Sequence, residues 1–184
     1  MCAISNFPYY YYKKIRKMGI PCRVSNPIIP FLSTVQNSRD HRKICVIDGK
    51  VAFTGGVNLA DEYANEITRF GHWKDTAIML KGDAVQSFTM LFLEMWAVNQ
   101  MEPADCQNYL TPKEVVPDPP HGYVIPYGDH PYDNENVGEE VYFHILNHSK
   151  KYVHIMTPYL ILDSEMITTL TRAAKSGIEV IIIM

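Results

Sequence analysis

The sequence predicts an α/β fold in which a mixed or parallel sheet is flanked by helices. Short apolar runs bounded by Gly, Pro or Asp recur along the chain, as is typical of buried strands. In the C-terminal third they alternate with helical patterns in the order strand, helix, strand, helix, strand, which favours a parallel sheet. Hydrophobic residues make up 47% of the 184 residues and charged residues 20%, a composition sufficient for a packed core.

The N-terminal part of the chain is predicted to hold three helices and four strands. The helices are expected over residues 6–18, ending at Gly19, from Asn58 to about Ile67, and over residues 83–100; the strands over residues 20–24, 41–47, 50–54 and 75–80. Asp48-Gly49 is a hairpin signal between the second and third strands. The third helix has a stripe of residues at helical spacing that predicts a mainly core-facing side: Val85, Phe88, Phe92, Met95, Trp96 and Asn99.

Five prolines crowd residues 103–121 and predict a linker there. The chain would then comprise the C-terminal part of one domain, residues 1–102, and the N-terminal part of another, residues 122–184. In the second domain we expect strands over residues 123–127, 152–157 and 178–183, and helices over residues 138–150 and 163–176. The last strand is a continuous apolar run, which is normally buried on both faces. We therefore expect the second domain to be incomplete in this sequence.

Charge and cysteine usage exclude some function classes. The net charge of −3 disfavours a general nucleic-acid binder, which is usually strongly basic, yet it allows a local cationic pocket. The four cysteines have neither metal-ligand nor redox spacing and are expected to be reduced thiols. No apolar run reaches the length of a membrane span, and the N-terminus lacks a secretory signal. Five histidines share no ligand spacing, so no metal site is expected among them: His121, His130, His144, His148 and His154.

One constellation of residues carries the functional prediction. Side chains alternate faces along a strand, so His41 and Lys43 would point the same way. The hairpin would return Gly55 and Gly56 to the start of that strand, where an anion could approach a backbone without side chains. A helix beginning after Asn58 would turn its unpaired N–H groups and positive dipole end to the same corner. The sequence thus predicts a phosphate site that contains a nucleophile.

The whole spacing pattern is much more specific than its parts. The tripeptide His-x-Lys occurs three times, beginning at His41, His72 and His148. On their own, a histidine and a lysine at this spacing on a strand would usually form a solvated face. Only the first is followed by Asp48 and by the glycine pair, in the pattern H-x-K-x4-D-x6-G-G-x-N. This pattern resembles the HKD motif of the phospholipase D superfamily.

The resemblance extends from about Lys17 to the end of the chain. The blocks HRKICVIDGKVAFTGGVNLADEY, FGHWKDTAIMLKGDAVQSFTMLFLEMW, YVHIMTPYLILDSEM and AAKSGIEVIII are similar to successive blocks of bacterial cardiolipin synthases. They match the end of the first catalytic domain and the beginning of the second. The resemblance therefore implies a phospholipase D-like fold and an internal fragment, without the membrane-spanning N-terminus or the second HKD motif of that family.

For chemistry, the resemblance implies transfer of a phosphatidyl group through a phosphohistidine, which converts two phosphatidylglycerol molecules to cardiolipin and glycerol. His41 would be the nucleophile, Lys43 would bind a phosphoryl oxygen, and Asn58 would add a donor. Asp75 is implied as the carboxylate that orients His41, whereas Asp48 is expected to hold the strand and turn in place. No metal or other cofactor is implied, because the phosphohistidine conserves the energy of the phosphodiester bond.

Several alternatives stay open. The chain could be a phosphodiesterase or nuclease of the same superfamily, or a non-catalytic binding or assembly fragment. The second catalytic histidine would come from a missing C-terminal part, which we favour, or from a dimer mate. The expected partner is an anionic phospholipid, phosphatidylglycerol, at the cytoplasmic face of the cell membrane; nucleic acid is not expected. The isolated fragment is expected to be inactive. Asp61 and Glu62 are expected to serve only the helix N-terminus, and His72 to pack near Trp73.

Overall fold

The computed structural model describes residues 10–25, 40–69, 71–98, 106–110, 122–129 and 135–184. The chain divides into two compact units, Met1–Pro126 and Tyr127–Met184. In the described residues, the first contains a three-stranded sheet and the second a two-stranded sheet, and at least one helix packs on each sheet. The predicted α/β class is therefore confirmed. The predicted linker lies mostly outside the described residues, which place a single 3-10 turn in it, Gln107–Tyr109.

Besides that turn, the described residues of the first unit form two α-helices and three strands. In chain order they are α1 (Tyr11–Lys17), β1 (Ile44–Ile47), β2 (Val51–Gly55), β3 (Ala77–Lys81) and α2 (Ala84–Ala97). The predicted strand over residues 20–24 is wrong. Pro21 cannot donate to a ladder, and the carbonyl of Cys22 accepts a hydrogen bond from Arg16 Nε at 2.8 Å instead of from a strand.

The sheet is antiparallel throughout, in the order β1-β2-β3. Asp48 and Gly49 have φ values of 53° and 63°, so both central turn residues adopt the left-handed region that a tight hairpin requires. The predicted hairpin is thus confirmed, although its first strand is shorter than expected and its second strand begins one residue later. Lys50 belongs to the turn, where its N–H donates to the carbonyl of Ile47 at 3.0 Å.

Helix α2 packs on one face of this sheet. Ala52, Val85 and Phe88 form the buried cluster, with partly buried side chains of the strands around it. Val85 and Phe88 therefore confirm the predicted core face. Phe92 does not, because it is 48% exposed. On this turn of the helix the buried residue is its neighbour Leu93, which is 5% exposed. Asn99 lies outside the described residues.

The second unit contains one βαβ crossover preceded by a helix. Its elements are α3 (Val137–His148), β4 (Tyr152–Met156), α4 (Ser164–Lys175) and β5 (Glu179–Ile183). Strands β4 and β5 are parallel and pack on Leu146 and Leu170 through Val153, as the alternating pattern predicts. The Asp163 side chain caps α4 by accepting from Met166 N at 2.7 Å.

The strand predicted over residues 123–127 is wrong. Residues 122–129 have no strand pairing, and Pro126 lacks the N–H that a ladder would need. No helix within the described ranges is both long and apolar enough to cross a membrane.

Gly55 allows β3 to lie against the end of β2. A Cβ at this position would come within 2.6 Å of Ala77 Cα and closer still to the carbonyl oxygen of Thr76. Both are backbone atoms of the neighbouring strand, so they cannot move aside without disturbing the sheet. The sheet edge that follows therefore depends on a glycine here.

We predict that Gly55→Ala destabilises the first unit by about 1–3 kcal/mol more than Gly82→Ala does. Both glycines have positive φ, 159° and 95°, but nothing lies within 4 Å of a Cβ at Gly82, so only Gly55→Ala introduces a clash. Urea unfolding followed by tryptophan fluorescence measures it, because Trp73 and Trp96 both belong to the first unit. Equal losses for the two variants would contradict the prediction.

Candidate active site

The register of the sheet brings most of the candidate residues to one edge. His41 and Lys43 immediately precede β1, Gly55 and Gly56 end β2, and Asp75 lies just before β3. Because neighbouring strands are antiparallel, the start of β1, the end of β2 and the start of β3 coincide. The hairpin therefore returns the glycine pair to the histidine and lysine, and the next strand adds the aspartate.

The sequence predicts that His41 and Lys43 lie in a strand. This prediction is wrong, because the ladder begins at Ile44. Instead, side chains link residues two apart along this segment. Lys43 Nζ donates to the carbonyl oxygen of His41 at 2.6 Å. The carboxylate of Asp40 accepts from the backbone N–H of Arg42 at 2.9 Å and from its guanidinium at 2.9 and 3.0 Å.

The Asp40–Arg42 pair was not anticipated from the sequence. Burial tends to raise the pKa of Asp40, but the hydrogen bonds and positive charge of Arg42 outweigh it and hold that pKa below its ordinary value. The same hydrogen bond raises the pKa of Arg42. The pair anchors the segment on which His41 and Lys43 stand. Opposite charges at i and i+2 are the only signal that could have indicated it.

A groove of about 720 Å³ lies between this segment and α2. Asp40, Arg42 and Ile44 line it, whereas His41 and Lys43 do not. Residues 40, 42 and 44 therefore share one side of this segment, as alternate residues of an extended chain do. On the same groove, the Arg23 guanidinium lies 4.1 Å from the centre of the Trp96 ring.

Asp75 reaches over the end of the middle strand. Its Oδ2 accepts a hydrogen bond from the indole Nε1 of Trp73 at 2.8 Å. Its Oδ1 lies only 2.7 Å from the position that a Cβ of Gly56 would occupy. Neighbouring strands lie about 4.8 Å apart, so β3 is roughly 10 Å from β1. A carboxylate that leans over Gly56 crosses part of that distance.

The space left by the two glycines is filled by the protein itself. Backbone atoms of Thr76 and Ala77 occupy it at Gly55, and the carboxylate of Asp75 occupies it at Gly56. The sequence prediction that Gly55 and Gly56 admit a substrate phosphate stays a prediction.

The helix predicted after Asn58 is wrong. Residues 57–69 form turns and bends, and Asn65 has a φ of 61°, a left-handed conformation that cannot continue a helix. The Asn58 amide donates to the carbonyl of Gly56 at 3.4 Å and does not cap a helix. A helix dipole therefore makes no contribution to this corner. Asn58 stays only a predicted donor to phosphate.

The residues expected to serve that helix have other contacts. Glu62 accepts from Arg69 at 3.4 Å, and the carbonyl of Asp61 accepts from the backbone N–H groups of Glu66 and Ile67. Tyr63 meets the Trp73 ring edge-on, with ring centres 5.1 Å apart.

Asp48 lies apart from the other candidates. It occupies the β1–β2 turn, at the opposite end of β1 from His41 and Lys43. At the rise of a strand, Asp48 lies about 15 Å from Lys43. This position suits its expected part in holding the hairpin. Within the described ranges, no group of three or more His, Cys, Asp or Glu side chains could hold a metal ion.

We predict that Asp40→Asn lowers the free energy of unfolding by about 0.5 kcal/mol at neutral pH, the usual size for a partly exposed pair. Because the folded pKa is depressed, the contribution is present above the ordinary value of 3.8 and is lost as the pH falls through the folded value. The gap between the parent and Asp40→Asn, measured by urea unfolding, should therefore close below pH 3.8. The control is Arg42→Gln made in the Asp40→Asn background, which should cause no further loss in the free energy of unfolding because the pair is already broken. A gap that does not vary with pH would contradict the assignment.

Comparison with known proteins identifies relatives along nearly the whole chain. An uncharacterized protein of Streptococcus mutans serotype c is 55% identical over 100% of this chain and 40% of its own length. A cardiolipin synthase of Geobacillus kaustophilus is 35% identical over 92% of this chain and 34% of its own length. Cardiolipin synthase 2 of Bacillus cereus is 35% identical over 95% of this chain and 34% of its own length.

No family model matches the chain, and no solved structure matches it. The chain spans about a third of the length of the cardiolipin synthases that it matches. The match nevertheless covers almost every residue of this chain at an identity well above chance, and it agrees with the α/β class observed in both units. Along nearly its whole length, the chain is therefore similar to about one third of each of the bacterial cardiolipin synthases that it matches.

Proposed function

We propose that this chain supplies the nucleophilic half of a phosphatidyltransferase site of the cardiolipin synthase type. The observation that carries the proposal is the sheet register, which brings His41, Lys43 and Asp75 to one edge. The relatedness to cardiolipin synthases supports it. The complete reaction would join two phosphatidylglycerol molecules to form cardiolipin and glycerol.

In the first step, an unprotonated ring nitrogen of His41 attacks the phosphorus of phosphatidylglycerol. The N–P bond forms, the P–O bond to glycerol breaks, and the departing oxygen takes a proton from a general acid. In the second step, the hydroxyl of another phosphatidylglycerol gives its proton to the same group, which now acts as a general base, and attacks the same phosphorus. The P–O bond of cardiolipin forms as the N–P bond breaks. A neutral imidazole suits both steps, because it is nucleophilic near pH 7 and can leave again.

Asp75 would orient the nucleophile. A carboxylate that accepts a hydrogen bond from the N–H of one ring nitrogen keeps the proton there, which leaves the other nitrogen unprotonated and directed at the substrate. The lean of Asp75 over Gly56, towards β1, supports this role. The aspartate and histidine side chains would close the remaining distance between the first and third strands.

Lys43 would stabilise the charge on the phosphoryl oxygens. Its ammonium carries three N–H donors, and the carbonyl of His41 takes one of them at 2.6 Å. This hydrogen bond places the positive charge beside the residue that would carry the phosphoryl group. Such a charge, fixed before the reaction, is worth most where negative charge develops.

The general acid would be the histidine of a second HKD motif. We place it in another part of a longer polypeptide, because this chain covers only 34% of the cardiolipin synthases that it matches. A second copy of this chain is the alternative source. In either case the chain alone would hold a nucleophile without the acid that glycerol needs in order to leave.

We predict that the chain alone reacts once with phosphatidyl-p-nitrophenol in detergent micelles. Nitrophenolate is a weak base and leaves without protonation, so the missing acid is not needed. The chain should release up to one equivalent of nitrophenolate and gain the mass of one phosphatidyl group, and His41→Ala should do neither. With phosphatidylglycerol in place of this donor, the chain should gain no phosphatidyl mass, because glycerol needs the missing acid in order to leave. Absorbance and intact-protein mass spectrometry measure both products.

The matched control is His148→Ala, which alters a second His-x-Lys tripeptide on α3. This variant should keep the full burst. A folded parent chain without a burst, or a burst that survives in His41→Ala, would contradict the proposed function.

We predict separately that Lys43→Ala slows the burst roughly 100-fold while its amplitude stays at one equivalent, because a fixed donor to a developing oxyanion contributes about that factor. Lys150→Ala removes the equivalent charge from the tripeptide that begins at His148, the last residue of α3, and should leave the rate unchanged. Stopped-flow absorbance at saturating donor gives both rate constants. Equal rates for the two variants would remove Lys43 from the mechanism.

A further inference from the structure

We propose that Trp73 is a positioning residue: its indole N–H fixes the carboxylate of Asp75 in the orientation in which it can hold His41. This inference rests on the proposed function, since it assigns a support to the same carboxylate. It is carried by a continuous series of contacts that runs from Asn65 through Trp73 and Asp75 to Gly56.

The first contact fixes the carboxylate. Trp73 Nε1 donates to Asp75 Oδ2 at 2.8 Å in a part-buried position. The other oxygen, Oδ1, is thereby left lying against the bare Cα of Gly56. A carboxylate that can rotate presents its oxygens in many directions, whereas one held at Oδ2 presents Oδ1 in one direction. Residues 73 and 75 are two apart in an irregular segment that leads into β3, which lets both side chains lie on the same side.

The second set of contacts fixes the indole. The side-chain oxygen of Asn65 accepts from the backbone N–H of Trp73 at 2.6 Å, and its amide donates to the carbonyl of Trp73 at 2.8 Å. The edge-on ring of Tyr63 also bears on the indole. Asn65 holds a left-handed φ of 61°, which few residues other than glycine and asparagine adopt readily. The left-handed backbone of Asn65 and the two hydrogen bonds of its side chain together hold the backbone of Trp73 in place.

The location of this series argues for more than fold stability. An indole N–H at a part-buried position can be satisfied by water or by a backbone carbonyl. Here it is paired with a carboxylate at the sheet edge that also carries the proposed nucleophile, and two hydrogen bonds from a residue eight positions earlier hold the backbone of Trp73. In the proposed function, Trp73 would therefore act on His41 indirectly, through the carboxylate of Asp75.

The hydrogen bond is tested directly by NMR. The chain has two tryptophans, so a ¹⁵N-labelled sample gives two indole N–H signals, which Trp73→Phe and Trp96→Phe assign. We expect Asp75→Ala to move the Trp73 signal upfield and to speed its exchange with solvent, while the Trp96 signal stays in place. An unchanged Trp73 signal in Asp75→Ala would overturn the proposal, whatever the activity of the variants.

The functional effect is tested in the nitrophenolate burst. Trp73→Phe keeps an aromatic ring but removes the N–H, and we expect the burst rate constant to fall roughly 10- to 100-fold at unchanged half-saturating donor concentration. Trp96→Phe makes the same chemical change on α2 and should keep the parent rate. A merely structural loss would lower the amplitude of the burst, because fewer chains would be folded, and would leave the rate constant of the remainder unchanged.

Asn65→Gly provides a second variant if Trp73→Phe does not fold. Glycine accepts the left-handed backbone but removes both hydrogen bonds to Trp73, so it should slow the burst in the same sense while the indole is still present. Parent rates in a folded Trp73→Phe or in Asn65→Gly, with His41→Ala inactive, would overturn the positioning role and leave the proposed function standing. A burst in His41→Ala would instead contradict the function, and the NMR result would still report the hydrogen bond by itself.

Discussion

The end of β2 is the constraint on which the rest of the first unit depends. Gly55 and Gly56 there have no side chains, and a different neighbour occupies the space beside each of them. At Gly55 the backbone of β3 comes too close for any Cβ, and at Gly56 the carboxylate of Asp75 takes the vacant volume. A side chain at the first position would push the third strand away, and one at the second would displace the aspartate from the sheet edge. Strand pairing and site geometry therefore share one local requirement.

Local signals in the sequence predicted the elements whose causes are local. Asp48-Gly49 adopts two left-handed φ values because few other pairs do so cheaply, and Asp163 begins α4 by capping its own helix. The failures have long-range causes. The segment from Asn58 to Ile67 has helical composition, but Asn65 bonds to Trp73 across eight residues and takes a conformation that ends any helix. A strand also needs a partner, which the patterns at residues 20–24 and 123–127 could not reveal.

The candidate site divides in the same way. Spacing alone singled out His41, Lys43 and the glycine pair, because a hairpin of fixed length must return one to the other. The contacts that support these residues produce no periodic pattern in the sequence. Asp40 with Arg42, and Trp73 with Asp75, are i, i+2 contacts in segments without regular structure. Such pairs become visible only when the backbone between them is known, since the same spacing in a helix would turn the side chains apart.

The proposed function, in which this chain contributes a single histidine to the site, has a chemical consequence for control of the reaction. Attack on a phosphodiester by imidazole is reversible until the departing oxygen is protonated, and the alkoxide of glycerol is far too basic to leave unaided. A half-site of this kind would therefore return each lipid unchanged until a second histidine is brought to it. Lys43 alone does not alter this, because a fixed positive charge stabilises the phosphoryl oxygens without supplying a proton to the leaving group. Turnover would then require assembly of both halves, and the rigid edge built by Gly56, Asp75 and Trp73 would keep the nucleophile ready for it.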